Sequence, residues 1–203
     1  MQNTFQQITL YGRLLGASFY YEPSDSRIAG VLDFFRQPTW MEEWEIPLEE
    51  KACRKITALI NQGLTQDLTE QYQNLFIGPN ELVAPPWGSV YLDPECVIFG
   101  NSLLALRDFL KRHQIAFQAQ QDEPEDHIGL MLMLAAYLAE TRAHLLVEFL
   151  SQHLLTWAPH FLTKLANVEN HPFYQGLAQL TLITLNDWKQ KLSLSVPDVR
   201  FYR

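Results

Sequence analysis

Ile128-Gly129-Leu130-Met131-Leu132-Met133-Leu134-Ala135-Ala136-Tyr137-Leu138-Ala139 has no polar side at any turn of a helix. Such a helix must be enclosed by others, because each face would otherwise hold apolar surface in water. It is also shorter than the roughly 20 apolar residues that cross a bilayer. The stretch therefore reads as the central helix of a water-soluble, all-α domain.

Helical spacing continues on both sides of it. Ile28, Val31, Leu32 and Phe35 recur at i, i+3, i+4 and i+7, and Leu68, Tyr72, Leu75 and Phe76 at i, i+4, i+7 and i+8. Ala52, Ile56, Leu59 and Ile60 repeat the pattern before Gly63 supplies a stop. Pro47, Pro124, Pro159 and Pro172 each stand just ahead of a periodic stretch, where a missing N–H costs a helix nothing. Alternating runs joined by Asn-Gly or Asp-Gly turns are not seen. The expectation is one globular domain over 1–203, built of about nine helices around the central one. They are placed at 5–21, 25–36, 47–62, 65–77, 101–114, 124–140, 143–156, 159–168 and 172–192.

Residues 78–100 break the regularity. A connection this long inside a compact domain is usually functional or disordered. Trp87, Tyr91, Val97, Ile98 and Phe99 are costly to leave in water, so an ordered loop laid over the helices is expected. Trp40 and Trp44, in a Pro-bounded stretch, read as packing that closes a gap between helices.

Composition narrows the function. Hydrophobic residues make up 47% of the 203 and aromatic ones 12%, ample for a core. The net charge of −8, with 15 scattered Lys and Arg, argues against a nucleic-acid partner. It favours basic partners instead. Cys53 and Cys96 form no CxxC pair, so neither a disulfide framework nor a zinc knuckle is written. Met1-Gln2-Asn3-Thr4-Phe5 opens without a basic region leading into an unbroken apolar stretch. A cytoplasmic protein without membrane insertion is expected.

Two segments carry the chemistry. Pro85-Pro86-Trp87-Gly88-Ser89-Val90-Tyr91 holds two aromatics among turn-formers, and a rigid Trp87 suits a binding anchor. Glu123-Pro124-Glu125-Asp126-His127 crowds three carboxylates and an imidazole where a helix is expected to begin. Carboxylates in a first turn also serve simply to offset the helix dipole. A cation gains nothing there, so His127 is expected neutral, tied to a partner or exposed for binding. A hydrolase using Asp126 and His127, with Ser89 as nucleophile, is the rival reading; no GxSxG elbow accompanies it. No HExxH or Cys/His spacing marks a metal site, and no Gly-rich cradle marks a nucleotide, so no cofactor is expected. For Leu75 and Phe76 the helical stripe alone points to core packing.

In order along the chain, Tyr72-Gln73-Asn74-Leu75-Phe76-Ile77-Gly78-Pro79, then Pro85 through Asp93, then Glu123 through His127, resemble the TorD/DmsD/NarJ family of redox-enzyme maturation chaperones. Phe99-Gly100-Asn101-Ser102 with Leu106-Arg107, and His171-Pro172-Phe173-Tyr174 with Trp188, extend the likeness over most of the chain. The loop around Trp87 is most similar to the DmsD branch. The resemblance implies an all-helical chaperone without covalent chemistry. Its partner would be the twin-arginine leader peptide of a molybdoenzyme catalytic subunit, that of dimethyl sulfoxide reductase or, alternatively, of trimethylamine N-oxide reductase. It would shield the leader until cofactor insertion and folding are complete, then release the client to the Tat translocase. Leader binding is thereby assigned to Leu75, Phe76, Pro86, Trp87, Glu123, Asp126 and His127, with Tyr72 and Tyr91 where relatives carry tryptophan.

The residues fit that role physically. Guanidinium pairs well with carboxylates such as Glu123 and Asp126. An apolar stretch gains roughly 25 cal/mol per Å² against Trp87, Phe76 and Leu75.

Overall fold

The computed structural model describes residues 2–116 and 123–203. Ten α-helices lie among them: α1 Gln2–Tyr20, α2 Ala29–Arg36, α3 Glu50–Leu64, α4 Leu68–Tyr72, α5 Gly88–Leu92, α6 Asn101–Arg112, α7 Ile128–Thr141, α8 Ala143–Phe149, α9 Ala158–Leu165 and α10 Pro172–Lys191. No strand occurs among the described residues; extended pairing is limited to one antiparallel bridge between Trp87 and His127.

α7 is the centre, as its composition requires. Ile128, Leu132, Ala135, Ala136 and Leu138 are fully enclosed. α1 lies against it at a distance only glycine permits. A Cβ on Gly12 would fall 2.7 Å from the carbonyl of Leu132, and one on Gly16 would fall 2.7 Å from that of Gly129. Those contacts are backbone against side chain, with nothing flexible to move aside. The core is completed by aromatics from α9 and α10, with Phe161, Phe173, Tyr174 and Trp188 all at 1% exposure or less. Trp40 and Trp44 are buried as expected, and Trp44 stacks on Tyr11 with ring centroids 4.1 Å apart.

Three departures from the sequence expectation bear on the site. The connection 78–100 is ordered, as read, but it contains α5, an additional short helix. The helices expected at 65–77 and 143–156 each end in a single wide π-turn, Gln73–Ile77 and Leu150–Leu154. Wide turns of this kind are often found beside functional sites. Finally, Pro124 does not open a helix. α7 begins at Ile128, and no acidic residue lies in its first turn. The segment 123–127 is held away from helical geometry by a distant partner. Gly88 N donates to Asp126 O at 3.3 Å, and Ile128 N donates to Pro86 O at 2.8 Å.

Candidate functional site

These two backbone bonds join the two segments singled out in the sequence. Along 123–127 successive side chains then point to different sides, so the cluster is divided. Glu123 and His127 face Trp87, Asp126 faces inward, and Glu125 is taken by Arg107. That ion pair is bidentate, with Arg107 Nε 3.0 and 2.9 Å from the two Glu125 oxygens.

Trp87 is half-buried. Its Nε1 donates to Glu123 Oε1 at 2.5 Å. Its ring meets His127 edge to face, with centroids 6.1 Å apart, and on its other side His127 meets Tyr20 at 5.6 Å. His127 caps α7: its Nδ1 accepts from Gly129 N at 3.1 Å. A nitrogen that accepts there carries no proton, and burial drives the imidazole pKa down to about 3. The neutral, partnered histidine expected from the sequence is what the fold holds. Glu123 is half-buried, and desolvation raises its pKa while the Trp87 N–H holds it down. Its other oxygen, Oε2, accepts no hydrogen bond from the described residues.

The remaining expected site residues sit deeper. Tyr72 is 5% exposed and donates through its hydroxyl to Tyr20 O at 2.8 Å. Leu75 and Phe76, each 4% exposed, face the core, where Phe76 meets Tyr72 and Tyr174. Pro86 is buried and serves through its carbonyl. Tyr91 is fully enclosed, donates to Pro85 O at 2.8 Å and stacks on Trp157. Asp126, 3% exposed, lines a partly open cavity of about 210 Å³ together with His153 and Trp157. Its Oδ2 accepts from Ser89 N at 2.7 Å. Burial raises its pKa. Trp87 and Glu123 are thus the two that reach the surface, with Tyr72 and His127 directly beneath. Asp126 and Glu123 do not form a common carboxylate pair for one guanidinium, because they open onto different spaces.

The catalytic alternative is not assembled either. Ser89 is enclosed, with no exposed hydroxyl to attack a substrate. Asp126 binds the Ser89 backbone rather than the imidazole, and His127 Nδ1 is committed to Gly129. Among the described residues no group of three His, Cys, Asp or Glu side chains is placed to hold a metal ion. No helix of the described chain is long and apolar enough to cross a membrane.

Residues not foreseen from the sequence complete the surface. Tyr20, Tyr21 and Glu22, at the end of α1, line a cavity of about 240 Å³ with Tyr72, Asp25 and Arg27. Arg27 lies 4.2 Å over the Tyr21 ring and pairs with Asp25. The acidity of Glu123 and Glu22 is felt there, since both help raise the Tyr72 pKa beyond the effect of burial. Aromatic pairs at a helix end followed by an acid are common, so this signal does not stand out in the sequence alone.

The motif Asp93 to Ser102, by contrast, is architectural. Asp93 accepts from Asn101 N at 2.8 Å and Ser102 Oγ at 2.7 Å, holding the start of α6. Such a cap supplies an acceptor for otherwise unpaired helix N–H groups.

The chain is similar to known proteins over most of its length. The sequence pattern of the family described as nitrate reductase delta subunit matches residues 47–163. A Haemophilus influenzae protein named "Probable Tat proofreading chaperone DmsD" is 71% identical over 203 residues, covering 100% of both chains. The chain belongs to the TorD/DmsD/NarJ family of redox-enzyme maturation chaperones. Within the TorD/DmsD/NarJ family, the Tat proofreading chaperone DmsD of Salmonella typhi is 43% identical over 91% of this chain and 90% of its own. The TorD chaperone of Shewanella piezotolerans is more distant, 33% identical over 59% of this chain and 60% of its own. A crystal structure of a redox enzyme maturation protein from Archaeoglobus fulgidus shares the fold, with a TM-score of 0.56 over 86% of this chain and 93% of that one, at 17% identity. The named relatives are chaperones, not enzymes.

Proposed function

We propose that this chain is a Tat proofreading chaperone that binds the twin-arginine leader of a molybdoenzyme catalytic subunit, in the first place that of dimethyl sulfoxide reductase. It holds the leader in the cytoplasm until cofactor insertion and folding are complete, and then yields the client to the Tat translocase. The observation that carries this reading is the Trp87–Glu123 pair. An indole and a carboxylate from distant segments share one hydrogen bond and reach solvent together, with Glu22 and the Tyr20–Tyr72 cavity alongside. A peptide with paired guanidinium groups next to apolar residues complements that surface in charge and in hydrophobicity. The high identity to DmsD chaperones supports the same assignment.

Calorimetry with a synthetic dimethyl sulfoxide reductase leader tests it. Binding between nanomolar and micromolar is expected, weakening as salt rises because charge pairs contribute. Trp87→Ala and Glu123→Gln should each weaken it about tenfold, roughly 1.4 kcal/mol. No heat and no change in tryptophan fluorescence at millimolar peptide would end this reading. A trimethylamine N-oxide reductase leader, titrated in parallel, decides between the two clients by the ratio of affinities.

A further inference from the structure

An open apolar groove of about 500 Å³ runs between α1 and α2. Leu10, Leu14 and Ala17 form one wall, and Gly30, Val31 and Phe34 the other. Leu10 is 58% exposed, and the flanking apolar side chains are only partly covered. Its volume is that of a binding cleft rather than a packing defect.

Gly30 is the unexpected residue. It is the second residue of α2, and glycine is disfavoured in a helix relative to alanine. A Cβ built at Gly30 meets nothing within 4 Å, so close packing does not require its absence. Its backbone is not left-handed, so no turn requires it either. What the missing side chain leaves is an open groove wall.

Both walls lead to the Trp87 surface. Leu10, Leu14 and Ala17 continue by helical steps to Tyr20 and Tyr21. Phe34 and Val31 lead back along the other wall to Arg27, over the Tyr21 ring. Tyr20 touches His127, and His127 touches Trp87. The apolar groove therefore ends at an acidic, aromatic patch bearing Glu22 and Glu123. From Leu10 to Tyr20 the path measures about 15 Å at a rise of roughly 1.5 Å per residue.

We propose that this groove receives the apolar segment of the leader as a short helix, with the arginines that precede it seated at Glu22 and Glu123. This rests on the leader-binding reading above and adds a second subsite and a direction. The order of properties decides the occupant: export leaders place basic residues first and an apolar run of about 7–15 residues after. Coiled as a helix, that run spans about 10–22 Å, which the groove matches. A helix laid into such a groove places its anchors at i, i+3, i+4 and i+7.

The test uses the full chain and two peptides: the dimethyl sulfoxide reductase leader, and the same leader with its apolar stretch replaced by serine and glycine. Gly30→Leu projects a side chain into the groove from a Cβ position that meets nothing within 4 Å, and Leu10→Glu places a charge on an already exposed position. Each should weaken the intact leader at least tenfold and leave the polar version unchanged. The unaltered chain should bind the intact leader more tightly than the polar one. Parent-like binding of the intact leader by both folded variants overturns the groove, as does an equal loss for both peptides. In either case leader binding at Trp87 survives. If the unaltered chain binds neither peptide, the leader-binding reading itself has failed. Should Gly30→Leu not fold by circular dichroism, Leu10→Glu carries the test alone.

Discussion

Trp87 and Glu123, 36 residues apart in the chain, share a hydrogen bond of 2.5 Å at the surface of the protein. The bond sets both partners. It fixes the indole plane beside His127, and it offsets part of the desolvation that raises the Glu123 pKa.

Trp87→Phe keeps a ring and removes the N–H. The Glu123 pKa should then rise further, since the contribution holding it down is gone. Leader affinity near neutral pH should fall, and fall more steeply as the pH is lowered through the carboxylate's titration. Carbon-detected NMR of the Glu123 carboxyl measures the shift; an unmoved titration curve would show that the bond does not form in solution.

His127 makes stability depend on acid. Its folded pKa, about 3, lies below the ordinary value of 6.5, so the unfolded chain binds the extra proton between the two. Stability from this group is complete above pH 6.5 and is lost as pH falls toward 3; between pH 7 and 5 the loss is about 2 kcal/mol. His127→Asn keeps an oxygen to cap Gly129 and does not titrate. Its stability, followed by urea unfolding, should drop less than the parent's over that interval. Equal drops would place the acid sensitivity elsewhere.

Asp126 has the opposite sign. Its folded pKa is raised, so the native state holds the proton longer than the unfolded chain, and stability declines as pH rises past the usual carboxylate range. Asp126→Asn keeps an acceptor for Ser89 N and should remove that decline. Asp126→Ala leaves the buried Ser89 N–H unpaired and should cost about 1–3 kcal/mol at pH 7. The two variants differing little in midpoint would mean that water replaces the carboxylate.

Gly16 and Gly30, on adjacent helices, should respond to alanine with opposite signs. At Gly16 the new Cβ would lie 2.7 Å from the Gly129 carbonyl, forcing α1 off α7 at a cost of about 1–3 kcal/mol. At Gly30 it meets open space, and helix propensity should stabilise by up to about 1 kcal/mol. Denaturant midpoints check both; a destabilised Gly30→Ala would remove the argument that this glycine is free of packing.

Much of this was legible in the residues. Ile128 to Ala139 announced a central helix because nothing in its pattern offers a face to water, and Trp87 stood out because Pro-Pro and Gly leave it no ordinary place in a helix. The start of α7 was misread because Pro124 looks like a first-turn proline. What keeps residues 124–127 out of the helix is a pair of bonds to Pro86 and Gly88, which local sequence does not encode. The same long-range stitching decides that Glu123 opens outward and Asp126 inward, although both are equally acidic on paper. Tyr91 and Trp87 look alike in sequence; Trp157, more than sixty residues on, is what encloses Tyr91 alone.

Because the 123–127 strip is fastened to residues 86–88 by its backbone, the face that carries Trp87 and Glu123 is assembled only where both segments are folded together. A half-synthesised or thermally opened copy would lack the face proposed to bind the leader. On the leader-binding proposal, competence to bind would therefore appear together with the folding of the whole domain rather than piecemeal.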